Sequence, residues 1–420
     1  MNHASVRGMK DLLPPETLRW ASLEESFRSC AARFGFAEVR TPLLEKTELF
    51  SRSVGEATDI VEKEMYTFTD RSGESLSLRP EGTASVVRAL LANRAALPEW
   101  PVRLFYLGPM FRHERPQKGR LRQFHQLGAE LFGSDSPYAD AELLLFLHSF
   151  LAEAGIGNVS LQLNSLGDPD CRPAYTASLV AFLREREERL CEDCRRRIDR
   201  NPLRVLDCKS AGCAEAVADA PSILDVLCGP CRDHFDAVER TLRENGVPFA
   251  RNPRMVRGLD YYRRTTFEFV IPGMGAQNTV AAGGRYDGLA EMLGGKERVP
   301  AIGFAIGLER LLMLLGEGGA APPVPAAFVA VSSPAFLDRA FRIKASLAGR
   351  GLRVEMDYEG RSLKSQFRRA DRSGAPVVLV LGEAEAERGV VAFKDMRKGT
   401  QEELTEEAAL SRLLGEKEEG

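Results

Sequence analysis

The sequence predicts an α+β chain built on an antiparallel sheet flanked by helices, interrupted by a helical insertion and followed by a small α/β domain. Three stretches carry that prediction. Residues 104–133 run from an apolar, aromatic segment (Leu104 to Phe111) through a charged loop with Pro116 and Gly119. They end in a segment alternating polar and apolar residues, the pattern of an antiparallel hairpin. From about residue 170 to 245 the character changes to charged helices carrying Cys191, Cys194, Cys208, Cys213, Cys228 and Cys231. Beyond a Gly/Ala/Pro-rich stretch at 316–325, strand and helix patterns alternate, as in a small α/β domain.

The composition sets the frame. A 420-residue chain has room for two or three domains, and 44% hydrophobic with 28% charged residues is that of an ordinary globular protein. A formal charge of −3 excludes blanket electrostatic binding of nucleic acid and leaves such contact to local patches. There is no signal-peptide core and no apolar run of membrane-spanning length, so a cytoplasmic protein without membrane attachment is expected. Its cysteines are then thiols or metal ligands rather than structural disulfides.

Taken in order, residues 15–34 read as an amphipathic helix with Leu18, Leu23, Phe27 and Ala31 on one face. Residues 35–50 give a short strand broken by Pro42. Residues 64–83 form a hairpin closed at Arg71-Ser72-Gly73, and a helix follows from Ala84 to Ala92. Glu81 and Thr83 at its start suit helix capping. In the second strand of the central hairpin the period of two places Arg122, Phe124, Gln126, Gly128 and Glu130 on one face. Leu121, Gln123, His125, Leu127, Ala129 and Leu131 take the other. The first face fits a solvated edge hairpin or a pocket. A guanidinium, a stacking ring, an amide and a carboxylate would suit a phosphate-bearing base beside a small polar ligand, with Gly128 clearing space next to Glu130.

A helix is expected at 140–154 and a strand and turn at 158–168. Cys191-x2-Cys194 and Cys228-x2-Cys231 have the form of zinc knuckles. Their gap is long for one site, so a zinc ion and plain buried thiols both remain open. Residues 256–273 suggest a strand with one wet face, 281–288 a glycine turn, and 301–316 a strand running into a helix. Gly303 and Gly307 leave room for something flat against the backbone, and Arg310 sits in the helix's first turn, where amides favour anions. In the last domain the helix 361–372 carries five basic residues and one acid. That is a solvated face or a phosphate-contacting patch.

FRHERP followed by RLRQFHQLGAE resembles motif 2 of the class II aminoacyl-tRNA synthetases in its histidyl-tRNA synthetase form. RGLDYY with TFEF, and GGRYDG, resemble the two histidine-specific signatures. AIGFAIGLERLLMLLG resembles the third class motif and residues 35–50 the first. The resemblance runs from RGMKDLLP (7–14) to the last helix. It implies a catalytic domain at 1–169 and 246–316, an inserted helical domain at 170–245, a linker at 317–325 and an anticodon-binding domain at 326–420.

It further implies that L-histidine and ATP form histidyl-adenylate with Mg²⁺, and that the acyl group passes to the 3′ end of tRNA(His), in a homodimer. Arg257 and Arg112 are the implied catalytic residues. Arg112, Glu114, Arg120, Phe124 and Arg310 are implied for ATP; Glu81, Thr83, Gln126, Gly128, Glu130, Tyr261, Tyr262 and Tyr286 are implied for histidine. Cys191, Cys194, Cys228 and Cys231 are the candidate ligands of a structural zinc. The alternative is the non-catalytic histidine-sensing subunit of ATP phosphoribosyltransferase, which shares the fold.

Overall fold

The computed structural model describes residues 3–54, 58, 60–117, 119–256, 261–272, 278–316 and 324–415. The chain divides into two compact units, residues 1–320 and 321–420.

The first unit opens with α1 (Glu16–Arg33), whose Trp20, Leu23, Phe27, Cys30 and Ala31 recur at helical spacing and are buried. There follow β1 (Ala37–Glu38), β2 (Leu44–Lys46), α2 (Thr47–Val54), β3 (Thr67–Thr69), β4 (Ser75–Leu78) and α3 (Thr83–Ala92). The hairpin strands are β5 (Val102–Phe111) and β6 (Gln123–Phe132), followed by α4 (Pro137–Glu153) and β7 (Ser160–Ser165). The cysteine-rich region holds α5 (Arg172–Arg184), α6 (Glu192–Arg200), α7 (Ala211–Ala216) and α8 (Gly229–Glu244). The chain then returns through β8 (Phe249–Arg251), β9 (Arg263–Val270), β10 (Thr279–Arg285), α9 (Leu289–Met292), β11 (Ala301–Gly307) and α10 (Leu308–Leu314).

Eight strands form one sheet in the order β1-β5-β6-β11-β10-β9-β7-β8. Its pairings are antiparallel from β5 to β7, and only the outermost strands, β1 and β8, pair in parallel. This is the antiparallel sheet flanked by helices, not a doubly wound one. The hairpin is not an edge. β6 lies between β5 and β11, with Glu130 opposite Leu104 on one side and Gly303 on the other. The odd-numbered Leu127, Ala129 and Leu131 point into the core. There Phe27 of α1 meets Phe105, Phe146, Phe150 and Phe304, tying two helices to the sheet through ring contacts.

Two expectations change. Residues 47–50 begin α2 rather than continuing a strand, and residues 281–285 are not a turn but β10, paired on both sides. The glycines there serve close strand approach: a Cβ at Gly283 would press on the Gly303 carbonyl, and one at Gly284 on the Thr265 carbonyl.

The second unit is an α/β domain with β12 (Ala327–Val331), α11 (Leu337–Gly349), β13 (Val354–Met356), α12 (Leu363–Ser373), β14 (Val377–Leu381), α13 (Glu383–Glu387), β15 (Val390–Asp395), β16 (Gln401–Thr405) and α14 (Glu406–Leu414). Its sheet order is β13-β12-β14-β15-β16, with parallel and antiparallel parts. The polar strand β16 carries no apolar alternation and was not expected from the pattern; its pairing with β15 decides its form. No helix among the described residues is long and apolar enough to cross a membrane.

Candidate active site

The even-numbered face of β6 opens onto two cavities. A polar cleft of about 440 Å³ is lined by Glu64, Arg112, Glu114, Arg120, Phe124, Glu309 and Arg310 among others. A second cavity of about 270 Å³ is lined by Glu81, Thr83, Gln126, Tyr261, Tyr262 and Tyr286, with Gly303 and β10 backbone behind them. Arg112, Val280 and Arg310 belong to both walls, so the guanidiniums stand where the two spaces adjoin.

Each cationic group is fixed by its neighbours. Arg112 leaves the end of β5 and donates through Nε to the Pro80 carbonyl at 2.9 Å. Arg310, in the first turn of α10, donates to the Thr279 carbonyl. Arg120 lies across the turn from Gln117 and pairs with Glu114 at 3.3 Å. Burial pulls the Arg112 and Arg310 guanidiniums below their ordinary pKa, and the charge of Arg120 pushes each further down. An anion entering the cleft would relieve that repulsion. The ring of Phe124 lies 5.2 Å from the Arg112 guanidinium carbon.

Behind two of the residues that line the smaller cavity, Thr83 and Tyr286, lies a buried carboxylate. Glu130 has no solvent exposure; its Oε1 accepts from the Thr83 hydroxyl at 2.7 Å and its Oε2 from the Tyr286 hydroxyl. Burial drives its pKa up to about 8, against the pull of those two hydroxyls. The space it occupies is provided by Gly303, where a Cβ would strike the carboxylate. Gly128 does not clear that space: a Cβ there would meet the Tyr106 ring, and Gly128 does not line the cavity. Pleating explains the exchange. Gly303 lies directly opposite Glu130 across the β6–β11 ladder, whereas Gly128 opposes Tyr106 across the β5–β6 ladder.

Glu81 caps α3 and also faces the cavity. Its carboxylate accepts from the Thr83 amide at 2.6 Å and the Ala84 amide at 2.9 Å, capping α3, while also lining the cavity. The Gln126 side-chain oxygen is buried without a hydrogen-bond partner among the described residues, an acceptor facing a space that a donor could enter. Tyr261, Tyr262 and Tyr286 form an aromatic wall, with the Tyr262 and Tyr286 ring centroids 4.7 Å and 5.6 Å from that of Tyr261. Arg257 and Asp260 lie outside the described residues.

Beneath this wall is a charge network the motifs did not announce. Arg285, with no exposure, donates through Nε to Asp140 at 3.1 Å and through Nη1 to Asp287 at 2.9 Å. His234 of α8 meets Asp140 at 2.8 Å, and Asp287 also accepts from the Ala301 amide at 3.1 Å. Burial would raise the Asp140 pKa, but Arg285 and His234 hold it down at about 2. Most of GGRYDG is therefore scaffold that fixes Tyr286. The sequence signal was an aspartate in the first turn of α4, on a helix whose residues are mostly apolar. A second omission is Glu309, which takes the His125 amide at 2.9 Å and its Nδ1 at 3.0 Å, bracing α10 against β6 beside the cleft.

The four knuckle cysteines do not share one site. Among the described residues, Cys191 and Cys194 gather with Cys208 and Cys213, and Cys228 and Cys231 gather with Cys171 and Asp168. Spacing pairs ligands within a knuckle but does not say which knuckles meet.

The comparisons with known proteins agree with this architecture. A family model described as histidyl-tRNA synthetase matches residues 8–311, and one described as an anticodon binding domain matches 326–416. The histidine–tRNA ligase of Trichlorobacter lovleyi is 53% identical over 409 residues, 97% of each chain. That of Geobacter metallireducens is 52% identical over 399 residues, 95% of this chain and 96% of its own. The crystal structure of apo S. aureus histidyl-tRNA synthetase superposes with a TM-score of 0.82 at 33% identity, covering 98% of this chain and 99% of that one.

Proposed function

The chain belongs to the histidyl-tRNA synthetase family, and from that membership we propose how its own side chains divide the work. It is an aminoacyl-tRNA ligase of class II fold that activates histidine with ATP and transfers it to tRNA. The ligase reading stands over the regulatory one, because relatives about half identical over nearly the whole chain are named ligases.

The observation that carries the residue assignment is the shared wall of the two cavities. Histidine in the smaller space and ATP in the cleft meet at Arg112 and Arg310. The amino-acid carboxylate attacks the α-phosphorus, pyrophosphate leaves, and negative charge spreads over the phosphoryl oxygens between those guanidiniums. Fixed donors aimed at that charge lower the barrier, and holding both reactants together supplies the rest. Arg257, four residues before Tyr261 in sequence, is proposed as a further donor. Phe124 offers a face for adenine, and Arg120 and Glu114 lie along the phosphates.

Glu81, Thr83 and Gln126 take the α-ammonium group. The unpartnered Gln126 oxygen and the Glu81 carboxylate support this. The tyrosine wall holds the imidazole, and its N–H replaces one of the two hydroxyls on Glu130. The tRNA ribose hydroxyl then attacks the acyl carbonyl and AMP departs.

Synthetases of this class use Mg²⁺ with ATP. Glu64 and Glu114 bring hard oxygen donors to the cleft, which fits such an ion. When bound, Mg²⁺ supplies neutralisation of phosphate charge. ATP–pyrophosphate exchange tested with each amino acid should depend on L-histidine alone. Equal exchange with another amino acid would overturn the reading.

A homodimer is also proposed. Leu43, Leu44 and Phe68, all more than 40% exposed, lie on or next to the small β2-β4-β3 sheet, within or near the segment that resembles motif 1. Sedimentation at micromolar concentration should give twice the chain mass; a single-chain mass would refute it.

The raised pKa of Glu130 makes a stability prediction. Between the ordinary carboxyl value of 4.5 and about 8, the unfolded chain loses a proton that the folded, ligand-free protein keeps. Stability is then fully present below 4.5 and falls as pH rises through that window. Glu130→Gln does not titrate. Its melting temperature should match the wild type near pH 4 and exceed it increasingly towards pH 8. A difference that is constant with pH would show that Glu130 is ionised in the free protein.

A further inference from the structure

We infer that the cysteine-rich region holds two separate mononuclear zinc centres, one bound by four cysteines and one by three cysteines and an aspartate. The first set is Cys191, Cys194, Cys208 and Cys213; the second is Asp168, Cys171, Cys228 and Cys231. Within each set all four donor atoms lie within 4.8 Å of one another. Seven of the eight cysteines are used, leaving only Cys30, which is packed under α4 beside the Phe146 carbonyl.

The separations are those of a tetrahedron. Zn–S bonds of about 2.3 Å at the tetrahedral angle put sulfurs about 3.8 Å apart, and replacing one sulfur by oxygen shortens that edge to about 3.5 Å. Cys191 and Cys208 Sγ are 3.9 Å apart, far beyond disulfide bonding. Asp168 Oδ1 lies 3.4 Å from Cys171 Sγ and 3.7 Å from Cys228 Sγ. A multi-iron cluster would hold its thiolates further apart, so the spacing selects a single ion.

The backbone around these sets suits thiolates rather than apolar thiols. Cys191, Cys228 and Cys171 are the N-cap residues of α6, α8 and α5, so each set receives the amide end of at least one helix. The Cys191 amide donates to Cys213 Sγ at 3.1 Å and the Asp168 amide to Cys171 Sγ at 3.3 Å, contacts that orient a ligand sulfur. Three donor-x2-donor pairs recur, at 168/171, 191/194 and 228/231, each starting or preceding a helix. Buried cysteines that merely fill space have no reason to converge twice in fours.

The need is local. α6 and α7 are short, and the EDCRRRIDR sequence of α6 is mostly charged, leaving little that can be buried. Binding a metal supplies the folding energy that so small an apolar core lacks. The second centre also joins α8 to the segment after β7, where the residue following Cys171, Arg172, donates to the Tyr262 carbonyl at 2.7 Å. It thereby anchors the insertion to the strand segment that carries the tyrosine wall.

The test uses the full-length protein, and its readout is metal content. Elemental analysis of the reduced, desalted protein, after one round of incubation with excess ZnSO4, should give two zinc ions per chain. Cys208→Ser and Cys171→Ser should each retain one, and the double variant none. With cobalt in place of zinc, the sulfur-to-metal charge-transfer band of Cys171→Ser should come from the all-cysteine centre alone and be stronger than that of Cys208→Ser. Thiol titration of the folded wild type covers variants that fail to fold: a chelator should make seven thiols reactive that were protected before it, while the buried Cys30 stays unreactive. The proposal is overturned if wild-type protein binds no zinc. It is equally overturned if one ion is bound that Cys191→Ser and Cys228→Ser both abolish while Cys208→Ser keeps it.

Discussion

Arg112→Lys should slow adenylate formation by about 10²–10³-fold while the protein remains folded and still binds ATP. Arg112 is one of the two cations that both cavities share, and its Nε is spent on the Pro80 carbonyl, which leaves the rest of the fork for the junction. A lysine keeps the charge but loses the planar fork, so it cannot hold the backbone and face both the carboxylate and the α-phosphate. The contact matters most as charge builds, so turnover should fall more than the affinity for either substrate. Single-turnover measurement of histidyl-adenylate formation separates this from effects on transfer. Transfer from preformed adenylate should change much less. Adenylation at the wild-type rate would remove Arg112 from the chemistry.

Glu130→Gln should raise the Michaelis constant for histidine by tens to several hundred-fold and leave that for ATP nearly unchanged. The lost interaction is the bond from the imidazole to a carboxyl that gives up its proton as histidine enters, a charge-assisted hydrogen bond in a dry cavity worth about 2–4 kcal/mol. Glutamine preserves the shape that Gly303 accommodates and gives the Thr83 and Tyr286 hydroxyls an amide to meet, so packing is retained. The specificity for one substrate is what tests the assignment. If both constants rise together, Glu130 only supports the wall through Tyr286, and the imidazole finds its partner elsewhere.

The linear sequence by itself determined the chemistry available to the elements and most of their order. The hairpin, the amphipathic α1, the strand-to-helix passage at 301–316 and the second α/β unit follow from local periodicity and turn residues. So does the sorting of Phe124, Gln126 and Glu130 onto one face, because side chains alternate along a strand whatever its neighbours. The motif resemblance pointed to Arg112, Arg310 and Glu81 by their settings in the chain.

Tertiary pairing decided the rest. Whether that face meets solvent or a cavity depends on β11 lying beside β6, a contact between strands far apart in the chain. The same pairing makes Gly303, and not Gly128, the residue that admits Glu130. The buried Asp140–Arg285–His234 network joins α4, β10 and α8, and no periodicity within any one of them records the others. The cysteines give the clearest case. Donor spacing names a knuckle, but partners from distant segments meet only once the helices between them pack. A ligand set is a property of the folded chain, because metal ligation is short-range in space and indifferent to distance in sequence.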